Sequence, residues 1–338
     1  MESQPRGMGA VPNELILRIV ENMDTSTRER FMMTDKRVYT LTKTYEHSIS
    51  KGRAALFTLP PLGDVLSSSA TERHIIPKNT FSMICELELR DERIDQLLAE
   101  CPNTFCIHSP PWLPCLTVAQ QNRLVAITKR ALYQCDRIAD IAANESVSSI
   151  PPELDDDGVS GMLAHPAALA YPPIGDVSRL NPLAKPGARP KQIKYIQSLP
   201  LEDIAGIFAT ITMLGTGLMC ACMCSSTARN ERITVIEECV LRHGTWFVWS
   251  RLLGSPELQD LAGSIIVAGW AELRGWESGA ISSPPGLKMM LMQRFKEQLG
   301  GKELSVEEFS DKIRETLEKL VCGDDKKPAD SESGSKDK

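Results

Sequence analysis

Cys220, Cys222 and Cys224 stand at alternate positions, the densest set of metal-ligand types in the chain. Structural zinc sites pair cysteines two to four residues apart and add a second pair elsewhere. Alternate side chains on a helix point about 200° apart, so these three do not converge on one ion. No Cys-x-x-Cys occurs and no His lies near them. Small thiols in a helical core are the expected role. Gly215-Thr216-Gly217 begins like a dinucleotide fingerprint, but Cys220 stands where its third glycine belongs. Glu153-Leu154-Asp155-Asp156-Asp157-Gly158 lacks the alternate-ligand spacing and closing Glu of a calcium loop, and reads as a solvated acidic turn. His47, His74, His108, His165 and His243 are scattered, with no nucleophile elbow to serve. Tyr171-Pro172-Pro173 suits a polyproline turn, a form that more often connects than binds. The expectation is therefore no metal, no cofactor and no catalytic residue.

Composition narrows the class in the same direction. The chain has 338 residues, 42% hydrophobic and 24% charged, with a net charge of −6. It can bury a sizeable core and lacks the basic surplus of a nucleic-acid binder. The opening has no basic and apolar leader pattern. With ten cysteines in so long a chain, free thiols in a reducing compartment follow, in the cytoplasm or nucleus. One segment invites another reading. Ile204 to Cys224 are 21 residues without a charge, long enough to span a bilayer. Thr210, Thr212, Thr216, Gly206, Gly215 and Gly217 make it a poor insertion candidate. Among amphipathic neighbours it suits the centre of a helical domain; a membrane-anchored chain spanning 204–224 is the alternative.

The elements fall into six stretches. Residues 1–10 are short and polar. Residues 11–50 hold three short helices, with Pro12 in a first turn and Leu15, Ile16, Ile19, Val20 and Met23 as an apolar stripe. Asp24 to Thr27 cap the second helix, and Lys36 to Leu41 begins the third. Residues 51–150 form a small mixed α/β patch and a long helix. Ser82 to Leu89 reads as a short strand, Asp91 to Glu100 as a helix and Thr104 to His108 as a parallel strand. Thr117 with Gln120 opens the long helix through a capping box. Residues 151–190 contain eight prolines and read as a linker or long loop. Residues 191–322 are a helical domain, and residues 323–338 a charged tail without a core. In that domain Gly244 closes one helix, Trp246 to Trp249 anchor the core, Ser255-Pro256 starts another helix, and Ser305 with Glu308 forms a second capping box. The fold class is mainly α, with a buried central helix in the C-terminal domain.

The segment Val11-Pro12-Asn13-Glu14-Leu15-Ile16-Leu17-Arg18-Ile19-Val20-Glu21-Asn22-Met23-Asp24 resembles the opening of an F-box. Thr34-Asp35-Lys36-Arg37-Val38-Tyr39-Thr40-Leu41 resembles that motif's close. The likeness covers about an eighth of the chain and departs at Arg28, where the family's second helix usually has Leu. The general layout also looks like F-box proteins of filamentous fungi, whose C-terminal parts are diverse. The resemblance implies an N-terminal three-helix F-box that docks on a Skp-type adaptor and, through it, on cullin and RING subunits. It implies a non-catalytic substrate receptor of a ubiquitin ligase, binding an unknown protein substrate through the C-terminal region. The adaptor-binding side chains it implies are Val11, Pro12, Glu14, Leu15, Ile19, Met23 and Phe31. The alternatives are an F-box scaffold outside any ligase, which Arg28 favours, and the membrane-anchored chain.

Overall fold

The computed structural model describes residues 11–68, 74–106, 110, 115–143, 188–220, 229–277, 286–301 and 304–323. The loop Glu153–Gly158, the Tyr171 polyproline turn, Cys222, Cys224, His108, His165, both chain ends and most of the proline-rich stretch lie outside the described residues. The described part is mainly helical, with thirteen helices and one two-stranded hairpin.

Four short helices open it: α1 (Asn13–Glu21), α2 (Thr25–Met32), α3 (Lys36–Thr44) and α4 (Glu46–Ala54). Pro12 sits one residue before α1, where it lacks only an N–H that no helix would use. Asp24 caps α2 by accepting from the Thr27 N–H at 2.8 Å, and Asp35 caps α3 by accepting from the Arg37 N–H at 2.6 Å. Ile16, Val20, Met32 and Val38 meet in a small core. The three expected helices do not close that core alone: Ile49 of α4 and Phe81 complete it.

Phe81 begins α5 (Phe81–Glu100), and this helix corrects the middle region. Ser82 to Leu89 is not a strand but the first half of one 20-residue helix. Thr80 caps it by accepting from the Met83 N–H at 3.2 Å. Phe81, Ile84, Leu87, Ile94, Leu97 and Leu98 then bury at helical spacing. The apparent alternation at Glu86 and Glu88 is two carboxylates with helical jobs, Glu86 meeting Arg90 one turn on at 2.9 Å. Thr104 to Cys106 form a turn and not the start of a strand, with Phe105 fully buried. Among the described residues the strands are β1 (Val65–Leu66) and β2 (Ile75–Ile76), antiparallel, with Val65 opposite Ile76.

The C-terminal body follows the helical reading closely. α6 (Val118–Ala143) starts at the expected capping box, Thr117 donating its N–H to Gln120 Oε1 and Gln120 its N–H to Thr117 Oγ1. α7 (Ala188–Ser198) takes Pro190 into its first turn, so the proline-rich stretch gives way to helix earlier than its composition indicates. Residues 204–220 of the uncharged run lie in α8 (Leu201–Cys220), whose stretch Leu201–Met219 is long and apolar enough to cross a membrane by length and composition. Its Ile204, Ile207, Ile211 and Leu214 are fully buried against other helices. Near its start, Asp203 accepts from Arg130 Nε at 2.5 Å and Gln134 Nε2 at 2.8 Å, both on α6. A Cβ on Gly215 or Gly217 would press into Ile233 or Thr104, so these glycines let chain segments approach and form no phosphate loop.

Around α8 stand α9 (Arg229–His243), α10 (Thr245–Leu252), α11 (Pro256–Glu277), α12 (Leu287–Gln298) and α13 (Val306–Cys322). Phe309 of α13 lies edge-on to Phe208 of α8 at 5.0 Å and to Phe295 of α12 at 5.3 Å. Trp246, Phe247 and Val248 anchor the core as expected. Trp249 sits at its rim, its Nε1 donating to Gln96 at 3.0 Å under the Arg93 guanidinium.

Two joints yield measurable expectations. Gly244, at φ +66, separates α9 from α10, and a Cβ there would run into the Asp136 carboxylate. Gly244→Ala is expected to cost at least about 2 kcal/mol in denaturant unfolding; a neutral result contradicts this account. Glu238 accepts from the backbone N–H groups of Leu287 at 2.8 Å and Lys288 at 3.1 Å, capping α12, and meets Arg189 and Arg242. Burial alone would raise its carboxyl, but Arg242, Arg189 and the two N–H groups hold it below the ordinary Glu value. The ionised form therefore stabilises the fold above the unfolded-state value of 4.5 and ceases to do so as pH falls through the folded value. Glu238→Gln should be less stable at neutral pH and show a shallower acid loss, read from unfolding midpoints down to about pH 3.

Candidate functional site

The stripe on α1 divides in two when folded. Ile16 and Val20 turn inward and are fully buried, while Leu15 and Ile19 turn outward with 52% and 44% of their surface exposed. Pro12 is exposed just before the helix and Met23 half-buried just after it. Pro12, Leu15, Ile19 and Met23 are spaced three, four and four residues apart, which places them along one side of the helix. Glu14 is exposed but one position off that line. Val11 and Phe31 are half-buried and lean on the module's own core. The seven residues thus separate into an outward row, a flanking carboxylate and two inward supports.

The close of the motif holds its opening in place. Arg37, on α3, donates through Nη2 to the Val11 carbonyl at 3.0 Å and to Asn13 Oδ1 at 2.5 Å. This clamps the start of α1, whose preceding residue provides no side-chain cap. Other exposed apolar groups escape a stripe argument. Met33 is 87% exposed and Tyr39 50%, although their neighbours Met32 and Val38 are buried. Their one sequence signal is position: each follows a buried apolar residue by one step, about 100° around a helix.

Arg28 has a role that only the folded chain reveals. It is 1% exposed, and its guanidinium lies 4.1 Å from the centre of the Phe81 ring, in cation–π contact. Nη2 donates to Thr25 Oγ1 at 3.0 Å, while Nε and Nη1 are buried without a hydrogen-bond partner. Burial lowers its proton affinity, against the charge of Glu88. Glu88 of α5 in turn accepts from the Thr25 N–H at 3.3 Å and from Arg53 at 2.8 Å. Where an apolar residue would face outward or into a small core, this chain has a cation that fastens α2 to α5.

No competing chemistry gathers among the described residues. No group of three or more His, Cys, Asp or Glu side chains stands within reach of a metal ion. His47 pairs with Asn79 and His74 with Ser67, while His243 is buried beside the Trp246 and Phe247 rings. A cleft lined by Phe57, Leu59, Pro61, Leu87, Tyr133 and the charged groups Arg90, Asp136, Arg137 and Asp140 has room for about 30 Å³, one or two water molecules. Both Asp136 oxygens already accept from Thr245, at 2.7 Å each. Comparison with family models, curated proteins and solved structures finds no match to this chain.

The Arg28 arrangement is open to test by substitution. Arg28→Leu should match the parent within about 1 kcal/mol or exceed it, because an apolar side chain ends the desolvation of two unpaired donors. Glu88→Leu, which leaves the cation buried without its counter-charge, should cost about 2 kcal/mol. Urea unfolding of both variants decides the matter; the reverse order of stabilities contradicts it.

Proposed function

We propose that this chain is an F-box-type substrate receptor, whose N-terminal helices dock on a Skp-type adaptor and whose helical body holds a protein substrate. One observation carries the reading. Among the described residues eleven large apolar side chains are exposed, and eight lie between Leu15 and Ile75. A body able to bury Ile204, Phe247 and Phe295 completely leaves few such groups in water. Leu15 and Ile19 stand one turn apart on the outer side of α1, and adjoining exposed apolar side chains mark an interaction site. Covering the exposed half of Leu15 and of Ile19 at an interface is worth roughly 1 kcal/mol each.

The mechanism requires no catalytic group of its own. Docking through α1 ties the chain, by way of the adaptor, to cullin and RING subunits in the cytoplasm or nucleus. A substrate on the body is then held at high effective concentration near the transferred ubiquitin. A scaffold outside any ligase is the second reading, favoured by the polar outer side of α2, where Ser26, Thr27, Glu29 and Arg30 are exposed.

Affinity capture with mass spectrometry separates the two. The wild-type chain should bring down the adaptor with cullin, and the Leu15→Asp, Ile19→Asp double variant should lose both at unchanged thermal stability. Adaptor without cullin favours the scaffold; no adaptor with the wild type refutes the docking reading. Point variants are the right tool, because deleting α1 to α3 would also lay bare Ile49 and Phe81.

A further inference from the structure

We propose that α2 is a hinged flap, which leaves α5 as an intact helix while α1, α3 and α4 stay folded, and so opens and closes the N-terminal core. The device does not depend on what α1 docks on. Its tether differs in kind from those of its neighbours. α1 turns Ile16 and Val20 inward, and Arg37 of α3 holds its start by two hydrogen bonds. α4 sends Ile49 and Ala54 into apolar clusters and reaches Glu88 of α5 through Arg53 at 2.8 Å. The buried residues of α2 are Thr25, Arg28 and Met32, so Met32 is its one apolar member, with Phe31 half-buried beside it. Among the described residues a single hydrogen bond leaves this helix, from the Thr25 N–H to Glu88 at 3.3 Å.

Arg28 makes the closure reversible. Shut, it holds its guanidinium 4.1 Å from the centre of the Phe81 ring, and its Nε and Nη1 reach no acceptor. Buried donors without acceptors have lost their hydration, a cost that ends when water reaches them. Opening hydrates both at once, which offsets the loss of the ring contact and of Met32 burial. It also strands no charge: Glu88 keeps Arg53, and the Phe81 ring keeps Lys43 at 5.5 Å. Elements with few buried apolar side chains open at lower free energy than the whole fold. Nothing inside α2 has to unwind. Asp24 accepts from the Thr27 N–H and from the Ser26 and Thr27 hydroxyls, all within one turn. The Thr27 N–H and the two hydroxyls hold its carboxyl well below the ordinary carboxylate range, so the ionised cap travels with the helix. Asp35 caps α3 independently, which leaves the turns at Asn22–Met23 and Met33–Thr34 as the hinges. Opening uncovers the Phe81 ring and the Met32 side of the core.

Native-state hydrogen exchange of the full chain, read by mass spectrometry from zero to about 1 M urea, tests the flap. The amides of Glu29 to Met32 should exchange at least about tenfold faster than the hydrogen-bonded amides of α1 and α3. Their exchange should be nearly independent of urea, because a local opening exposes little surface. Glu88→Leu removes the acceptor of the Thr25 N–H and the counter-charge of Arg28. It should speed α2 exchange about tenfold further, still without a urea slope. Exchange of α2 in step with α1 and α3, at one urea slope, overturns the proposal, because the N-terminal helices would then open only together. So does an α2 rate that Glu88→Leu leaves unchanged.

Discussion

A single buried guanidinium, on Arg90, joins the two halves of this chain. Its Nε donates to Glu86, its Nη1 and Nη2 to the two oxygens of Asp140 at 2.8 Å, and Nη2 also to the Leu66 carbonyl at 2.5 Å. Asp140 also accepts from the Leu66 N–H, and Glu86 accepts from the Ser68 N–H and hydroxyl. One cation therefore fixes α5, α6 and the end of β1 at a single point. Burying charge is costly unless every donor and acceptor is answered, and here the partners are in place. Nearby, Asp136 ties α6 to the start of α10 through Thr245. Burial raises the proton affinity of that carboxyl, against the opposing charge of Arg90.

With the joint secured, α5 acts as the common wall of three apolar clusters. Phe81 closes the core of the N-terminal helices, and Met83, Ile84 and Leu87 pack with Ala54, Val65 and Ile76. Ile94, Leu97 and Leu98 enter the core of the body. Helices of eight or nine residues bury too little surface to stand alone. Their stability comes from α4 and α5, which frees the opposite side of α1 from any structural task. Leu15 and Ile19 can stay in water because Ile16 and Val20 already supply the inward face.

The distribution of apolar surface follows from this division. The body encloses α8 so fully that its uncharged stretch meets protein helices along its buried side. The N-terminal quarter, short of interior, carries its surplus outside. Among the described residues the buried ionic groups Arg90, Asp140, Asp203 and Glu238 hold elements together. Arg28 likewise serves attachment, holding α2 to α5 through the Phe81 ring.

How much was legible beforehand depends on the range of the interaction. Helix starts marked by a side chain three residues away were readable, as at Thr117 with Gln120 and Ser305 with Glu308, because cap and capped group are neighbours in sequence. So were the end of α9 at Gly244, the mainly helical class and the central place of α8. The strand expected at Ser82 to Leu89 is helix instead: the polar positions that give it an imperfect alternation include Glu86, a buried partner of Arg90 and Ser68. Nothing local announces that Arg90 will meet Asp140, fifty residues on, or that Arg28 will meet Phe81. Which half of the α1 stripe faces out was likewise decided by Ile49 and Phe81 arriving from elsewhere. Periodicity and caps are properties of a few consecutive residues, and the sequence determined the helices through them. Side-chain partners depend on which helices lie together, and that the tertiary structure alone decided.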